Sequence, residues 1–312
     1  MIPVEYLAGF VDGEGYLGIA RIRRRGRSPE YCLRICVYNT NLAILEEIRD
    51  TFEGNMSAID QRRPFWKPSF ALIWTNAAAA KIVATLAPFL TVKAEQADEL
   101  LAFDARLRST TRSRDSSGRL LPLCPRELKQ RAASYDRVKV LNRTGPPARR
   151  KVNRKVVRRK RPKLTAEYLA GFVDGEGSLM ITKSRRADCI GPSYNPRVAI
   201  ANTRQDVLAW IKQTYGVIMT YQPARAKGWS NAYQLVWTKG TIPPLLLSIE
   251  PHLRIKRKQA QILSDFIRHR NSTKQGRNGR GFAPLPRSVV RFRENLRRRV
   301  KDLNSKGCFR NH

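Results

Sequence analysis

Apolar positions along the first half of the chain change period several times, and each change marks an element. Residues 4–14 repeat at helical spacing. Residues 16–24 and 30–39 read as strands around a polar turn, Arg25-Gly26-Arg27-Ser28-Pro29. In the second strand Tyr31, Leu33, Ile35 and Val37 alternate with Cys32, Arg34, Cys36 and Tyr38, a period of two. In the first strand the alternation falters after Ile19, because Arg21 takes a position expected in the core. Residues 41–53 predict a helix with Leu42, Leu45, Ile48 and Phe52 on one stripe. A second strand pair is predicted over 56–62 and 66–75, and helices near 77–87, 92–107 and 126–143. The Ser-, Gly- and Arg-rich stretches 109–121 and 271–283 predict mobile basic loops. One strand face is apolar and the other mixed polar and basic. A sheet packed on helices needs only the first. The second face is either plainly solvated or open to a ligand.

The pattern then repeats. Residues 5–15 read EYLAGFVDGEG, and residues 167–177 read the same. Eleven identical residues do not recur by chance, and the similarity continues at an offset of 162 or 163. Asn39-Thr40 matches Asn202-Thr203, Trp74-Thr75 matches Trp237-Thr238, and Lys93 matches Lys256. Gln96-Ala97 matches Gln259-Ala260, and Leu141-Asn142 matches Leu303-Asn304. The expected fold is therefore α+β, two tandem pseudo-symmetric α-β-β-α-β-β-α units, each with an antiparallel sheet. The expected boundaries are a first unit over 1–145, a basic linker over 146–162 and a second unit over 163–312. The linker is expected to be extended, because ten Lys and Arg fall between Arg149 and Lys163, flanked by prolines. It is either a solvated tether or one that also grips phosphates.

Charge narrows the partner. Sixty Lys and Arg against 25 Asp and Glu give a net charge of +35, which calls for a polyanion. Nucleic acid leads, and charge alone does not separate a DNA-acting protein from a structural RNA binder. No apolar run approaches a membrane span, no basic amphipathic helix stands alone as an anchor, and no secretory signal opens the sequence, so no membrane partner is expected. The five cysteines are odd in number and contain no CxxC pair, which fits an intracellular, reducing compartment such as cytoplasm, nucleoid or organelle matrix. Three scattered histidines do not fit a nuclease built on paired histidines and zinc-ligating cysteines.

The decapeptide YLAGFVDGEG, present twice, resembles the signature of the LAGLIDADG homing endonucleases, single-chain two-repeat type. The resemblance covers both units. It implies that the two signature helices pack side by side, which would give Gly9, Gly13, Gly171 and Gly175 a reason to stand in helices despite a cost of roughly 1 kcal/mol each. Leu7, Phe10 and Val11 would face the core of their own unit. The resemblance places a metal-binding acid at Glu14 and Glu176, where the family more often has Asp. Carboxylates at helix C-termini face the negative end of the macrodipole, and two of them together repel. A hard divalent cation, Mg²⁺ or Mn²⁺, would relieve both problems. Backbone carbonyls of Gly13 and Gly175 would join as ligands, while Asp12 and Asp174 are expected to be structural.

By the same resemblance Lys93 and Lys256 lie near the scissile phosphates, and Asn39 and Asn202 order solvent near the metals. The sheets would form a saddle on double-stranded DNA. Arg34 and Arg197 occupy matched positions on the mixed strand face and could read guanine or grip phosphate. Cys32, Cys36 and Tyr38 stand opposite Asn195, Ala199 and Ala201 on that face, and these differing residues would read different bases. The implied activity is metal-dependent cleavage of a long, non-palindromic DNA site by a monomer. The alternatives are an intron maturase binding host intron RNA on the same scaffold, and a catalytically silent DNA-binding regulator.

Overall fold

The structure, a computed structural model, describes residues 1–23, 25, 28–59, 68–110, 116–117, 121–143, 162–185, 191–224, 231–273, 277–278 and 281–305. The basic linker predicted over 146–162 lies outside these except at Pro162, as do Cys189 and Cys308. The chain divides into two units, Met1–Asp60 with Ser69–Lys163 in one and Leu164–His312 in the other.

In the first unit α1 (Val4–Glu14) leads directly into β1 (Gly15–Ile22) and β2 (Glu30–Asn39). Then come α2 (Leu42–Phe52), β3 (Asn55–Ile59), β4 (Ser69–Thr75), α3 (Asn76–Leu86), α4 (Ala94–Ser109) and α5 (Pro125–Leu141). The sheet runs β1-β2-β4-β3, every pairing antiparallel. Helices α2 to α5 lie against it. Leu17, Ile19, Leu33, Ile35, Val37, Leu72 and Trp74 point into this layer and are buried. Each such side chain contributes about 1.5–3 kcal/mol. The Trp74 indole is also satisfied, donating to the Phe52 carbonyl at 3.0 Å. Arg21 does not enter the core. It is exposed near the end of β1, with its guanidinium 5.9 Å from the centre of the Tyr31 ring.

The second unit repeats the order, with α6 (Ala166–Glu176), β5 (Gly177–Arg185), β6 (Pro192–Asn202), α7 (Gln205–Tyr215), β7 (Ile218–Gln222) and β8 (Ala232–Thr238). Helices α8 (Ile242–Ile249) and α9 (Arg257–Ser272) follow, and α10 (Arg287–Ser305) closes it. Its sheet order is β5-β6-β8-β7, the same topology. The stretch expected to be a loop, 271–283, holds a short hairpin, β9 (Arg277–Asn278) with β10 (Gly281–Phe282), which precedes α10. Strands of two residues carry no readable alternation, so the pattern had nothing to show. Among the described residues no helix is long and apolar enough to cross a membrane.

Two repeated residues gain a reason here. Asn142, at the end of α5, donates to the Leu17 carbonyl at 2.7 Å, and Asn304 donates to the Leu179 carbonyl at 2.9 Å. Each ties the last helix of its unit to the first strand.

The second unit adds an ionic tie of its own. Glu294 on α10 accepts the Tyr194 hydroxyl at 2.6 Å, with Lys183 Nζ at 3.0 Å and Arg297 Nη1 at 2.7 Å. Burial opposes its ionisation, but hydrogen bonds from Tyr194 and Lys183 and the charge of Arg297 outweigh burial and hold the carboxyl at about 2. A folded-state value below the unfolded one means stability that is fully present above about 4.5 and is lost as pH falls toward 2. Glu294→Gln should therefore unfold more readily than the parent at pH 6 and converge with it near pH 2. Equal stabilities at pH 6 in urea titrations would remove this contribution.

Candidate active site and nucleic-acid interface

The signature helix is shaped by its two ends. Pro3 precedes α1 in extended conformation, and Thr165 Oγ1 caps α6 by accepting from the Tyr168 amide at 3.1 Å. At the other end Gly15 is helix cap and first strand residue at once. A Cβ on Gly15 would lie 2.6 Å from the Val11 carbonyl oxygen and 2.8 Å from Val11 Cγ1. On Gly177 the corresponding distances to Val173 would be 2.5 Å and 2.8 Å. Only glycine lets the helix pass straight into the strand, so Glu14 and Glu176 stand at the junction. Glu14 is exposed and Glu176 half-buried, whereas α1 and α6 are buried from Tyr6 through Asp12 and from Tyr168 through Asp174.

The other carboxylate of each motif is structural, as expected, and its partners lie far along the chain. Asp12 is 1 % exposed and accepts the backbone N–H groups of Thr91, Val92 and Lys93 at 2.7, 3.0 and 2.9 Å. Asp174 accepts those of Arg254, Ile255 and Lys256 at 2.8, 3.1 and 2.9 Å. The loop so held delivers a lysine to the helix end. Lys93 Nζ donates to the Asp12 carbonyl at 2.6 Å. Lys256 Nζ donates to the Val173 carbonyl at 2.9 Å and to that of Asp174, with the Gly175 carbonyl at 3.5 Å. Carbonyls at a helix C-terminus carry partial negative charge, and here they collect a cation. The structure thus brings Glu14 and Lys93 to one helix end, and Glu176 and Lys256 to the other unit's equivalent.

Asn39 belongs to the same end of its sheet, because Val37 pairs with Gly15. Its Oδ1 accepts the Asn41 amide at 2.8 Å, and Asn202 Oδ1 accepts the Arg204 amide at 2.9 Å. Both asparagines therefore close the turn into the following helix.

The sheet face away from the helices carries the remaining candidates, but not all are accessible. Arg34 and Tyr38 are exposed and Cys32 is half-buried. Cys36 is 0 % exposed: Arg34 Nε donates to its Sγ at 3.2 Å and Tyr38 bonds it from the other side. Burial and the bond to Cys36 push the Tyr38 hydroxyl up to about 12. Cys36 is thus a platform beneath two longer side chains, which corrects its placement as a base reader. Ala199, at 2 % exposure, is corrected likewise. Both lie on the expected face, and their neighbours cover them. Asn195, Arg197 and Ala201 keep partial exposure.

Two residues of the open face escaped the sequence analysis. Arg197 Nη2 donates to Gln234 Oε1 at 2.9 Å, and Gln222 Nε2 donates to the same oxygen at 2.8 Å. Gln234 pairs with Ala201 and Gln222 with Ala232, so both amides share the open face with Arg197. Their parity in β7 and β8 was readable, since Gln234 alternates with Leu235. Asn195, in turn, accepts from Arg270 Nη1 at 3.3 Å and donates to Ser193 Oγ at 3.3 Å.

Among the described residues no group of three or more His, Cys, Asp or Glu side chains forms a metal cage. A cation at Glu14 or Glu176 would need oxygens from elsewhere, and the backbone carbonyls at the end of each signature helix are the nearest in sequence.

No protein-family model matches the chain, and no curated protein matches it. Solved structures do match. LAGLIDADG homing endonuclease I-GzeII in complex with its DNA target is 16 % identical, with a TM-score of 0.66 over 95 % of this chain and 97 % of that one. I-LtrWI bound to target DNA is 13 % identical, with a TM-score of 0.66 over 95 % and 96 %. I-SmaMI bound to cleaved DNA is 15 % identical, with a TM-score of 0.64 over 97 % and 96 %. The chain therefore has the fold of the LAGLIDADG homing endonucleases, with both signature helices carried on one polypeptide.

Proposed function

We propose that the chain is a sequence-specific endonuclease that cuts double-stranded DNA, acting as a monomer on a long, non-palindromic site. The observation that carries this reading is the repeated junction. In each unit an acid ends the signature helix, a lysine is held at the same helix end, and a sheet with an open, mixed polar face starts one residue later. A silent DNA-binding protein has no need of both acids.

Glu14 with the Gly13 carbonyl, and Glu176 with the Gly175 carbonyl, would hold Mg²⁺ or Mn²⁺. Bound there, the cation would neutralise phosphate charge and lower the pKa of a water nucleophile. The chain's own groups do the rest. Lys93 and Lys256 supply fixed positive charge where the phosphate gains negative charge in the transition state. Asp12 and Asp174 keep those lysines in place. Arg34, Tyr38 and Cys32 in one unit, and Arg197, Gln234, Gln222 and Asn195 in the other, contact base edges. Arg suits guanine, and Gln suits adenine. The two sets differ, so each unit governs its own half-site, and the fused chain escapes the palindrome that a homodimer imposes.

Selection of cleaved molecules from a random duplex library, with Mg²⁺ and again with chelator, tests this. We expect cleavage with metal only and one asymmetric consensus. A palindromic consensus would overturn the monomer reading, and failure to cut any duplex would overturn the activity.

A further inference from the structure

The two units build the seam between their last two helices from equivalent residues, and they differ there at one buried charge. In the first unit Glu127 on α5 is 9 % exposed. It accepts Arg131 Nε at 2.7 Å and Thr110 Oγ1 at 3.2 Å, and lies 4.0 Å from Arg106 Nη1. Two donors and a more distant cation thus surround one carboxylate.

The equivalence between units is fixed by shared bonds. Asn142 and Asn304 each bond the carbonyl of a matching first-strand leucine, Leu17 or Leu179, which sets Arg293 at the place of Arg131 and Val289 at that of Glu127. Thr110 and Thr273 each donate to the carbonyl four residues back, Arg106 and His269, both at 2.8 Å. His269 therefore stands where Arg106 stands. The second unit keeps an arginine, a histidine and a threonine at these places, and has lost the carboxylate.

The donors register that loss. Arg293 is 5 % exposed. Neither its Nε nor His269 Nδ1 has a hydrogen-bond partner among the described residues. The counterpart of that Nε, in Arg131, is the atom that bonds Glu127. A buried guanidinium nitrogen left without an acceptor is a costly arrangement. Beside it His269 and Phe292 line an open groove of ≈ 530 Å³, whose other charged walls are Asp265, Arg268 and Arg299.

We propose that the second unit binds a small oxyanion, a carboxylate or a phosphate group, at Arg293, His269 and Thr273, in the place that the Glu127 carboxylate fills in the first unit. The groove reaches His269. The neutral imidazole can donate from Nδ1, and burial together with the Arg293 charge keeps the His269 pKa low. The inference does not depend on DNA cleavage.

The test is NMR titration of His269, one of three histidines in the chain, in the full-length protein. Formate and inorganic phosphate are added against chloride at equal ionic strength. An anion between Arg293 and His269 should raise the histidine pKa by roughly half a unit or more. Val289→Glu should show the raised value without added anion and respond to none. Arg293→Met should also abolish the response, and thermal unfolding under the same anions should lose its anion-specific rise in both variants. A 5′-phosphorylated dinucleotide acting at lower concentration than phosphate would assign the site to nucleic-acid phosphate. Equal potency would assign it to the free ion. A His269 indifferent to all of these anions, or a response unchanged in Val289→Glu, would overturn the proposal.

Discussion

Glu14→Gln and Glu176→Gln should each lower double-strand cleavage on the order of 10³-fold or more, the scale of losing a catalytic group outright. Binding to the same duplex should change little, because each glutamate ends a helix ahead of the sheet face proposed to contact bases. The amide keeps the size of the side chain and removes its charge, so the loss reports charge rather than shape. Each single variant should retain cleavage of one strand, since the other unit still holds its own acid and lysine. Single-turnover assays on supercoiled plasmid separate the outcomes, nicked circles for either single variant and intact plasmid for the double. Linear product at the parent rate from either variant would take that residue out of the chemistry.

Asp12→Ala and Asp174→Ala should be the most destabilising substitutions in the signature motif, by about 3–5 kcal/mol each. Each carboxylate satisfies three successive N–H groups from a loop some eighty residues away. Alanine leaves all three without an acceptor. Asparagine should fare little better, because both carboxylate oxygens are in use and an NH₂ group would face a donor. Urea unfolding measures the cost. A loss below about 1 kcal/mol would show that the loop holds its shape unaided.

Much of this was legible in the sequence, for identifiable reasons. The duplication fixed the number of units, and period-two alternation in 30–39 identified the correct open face. Alternation reports a face, however, and not whether that face is clear. Cys36 and Ala199 point outward by parity yet lie beneath or between larger neighbours, a property of side chains two residues away and on adjacent strands. Arg21 looked like an intruder in the core because the end of β1 was not visible, and the strand stops shielding its residues before that point. The motif located Glu14 and Asp12 equally well. That Asp12 grips the segment presenting Lys93 depends on a contact across 81 residues, which no local pattern encodes. The Glu127–Arg131 pair at helical spacing was readable, but its burial, and hence the meaning of Val289 at the matching place, required the packed helices.

The absence of any residue between Glu14 and β1, and between Glu176 and β5, bears on how such a protein can change its target over generations. Tyr16 and Ser178 sit two positions from the acid on a continuous backbone, so a substitution there that shifts the strand shifts the acid with it. Ile22 with Glu30, and Ser184 with Ser193, pair at the far end of the same strands. Change there leaves the junction where it is. On the function proposed above, base preference is free to drift where each strand lies far from its junction and is held to narrow choices beside it. Tolerance to mutation and tolerance to target variation should rise together along each strand.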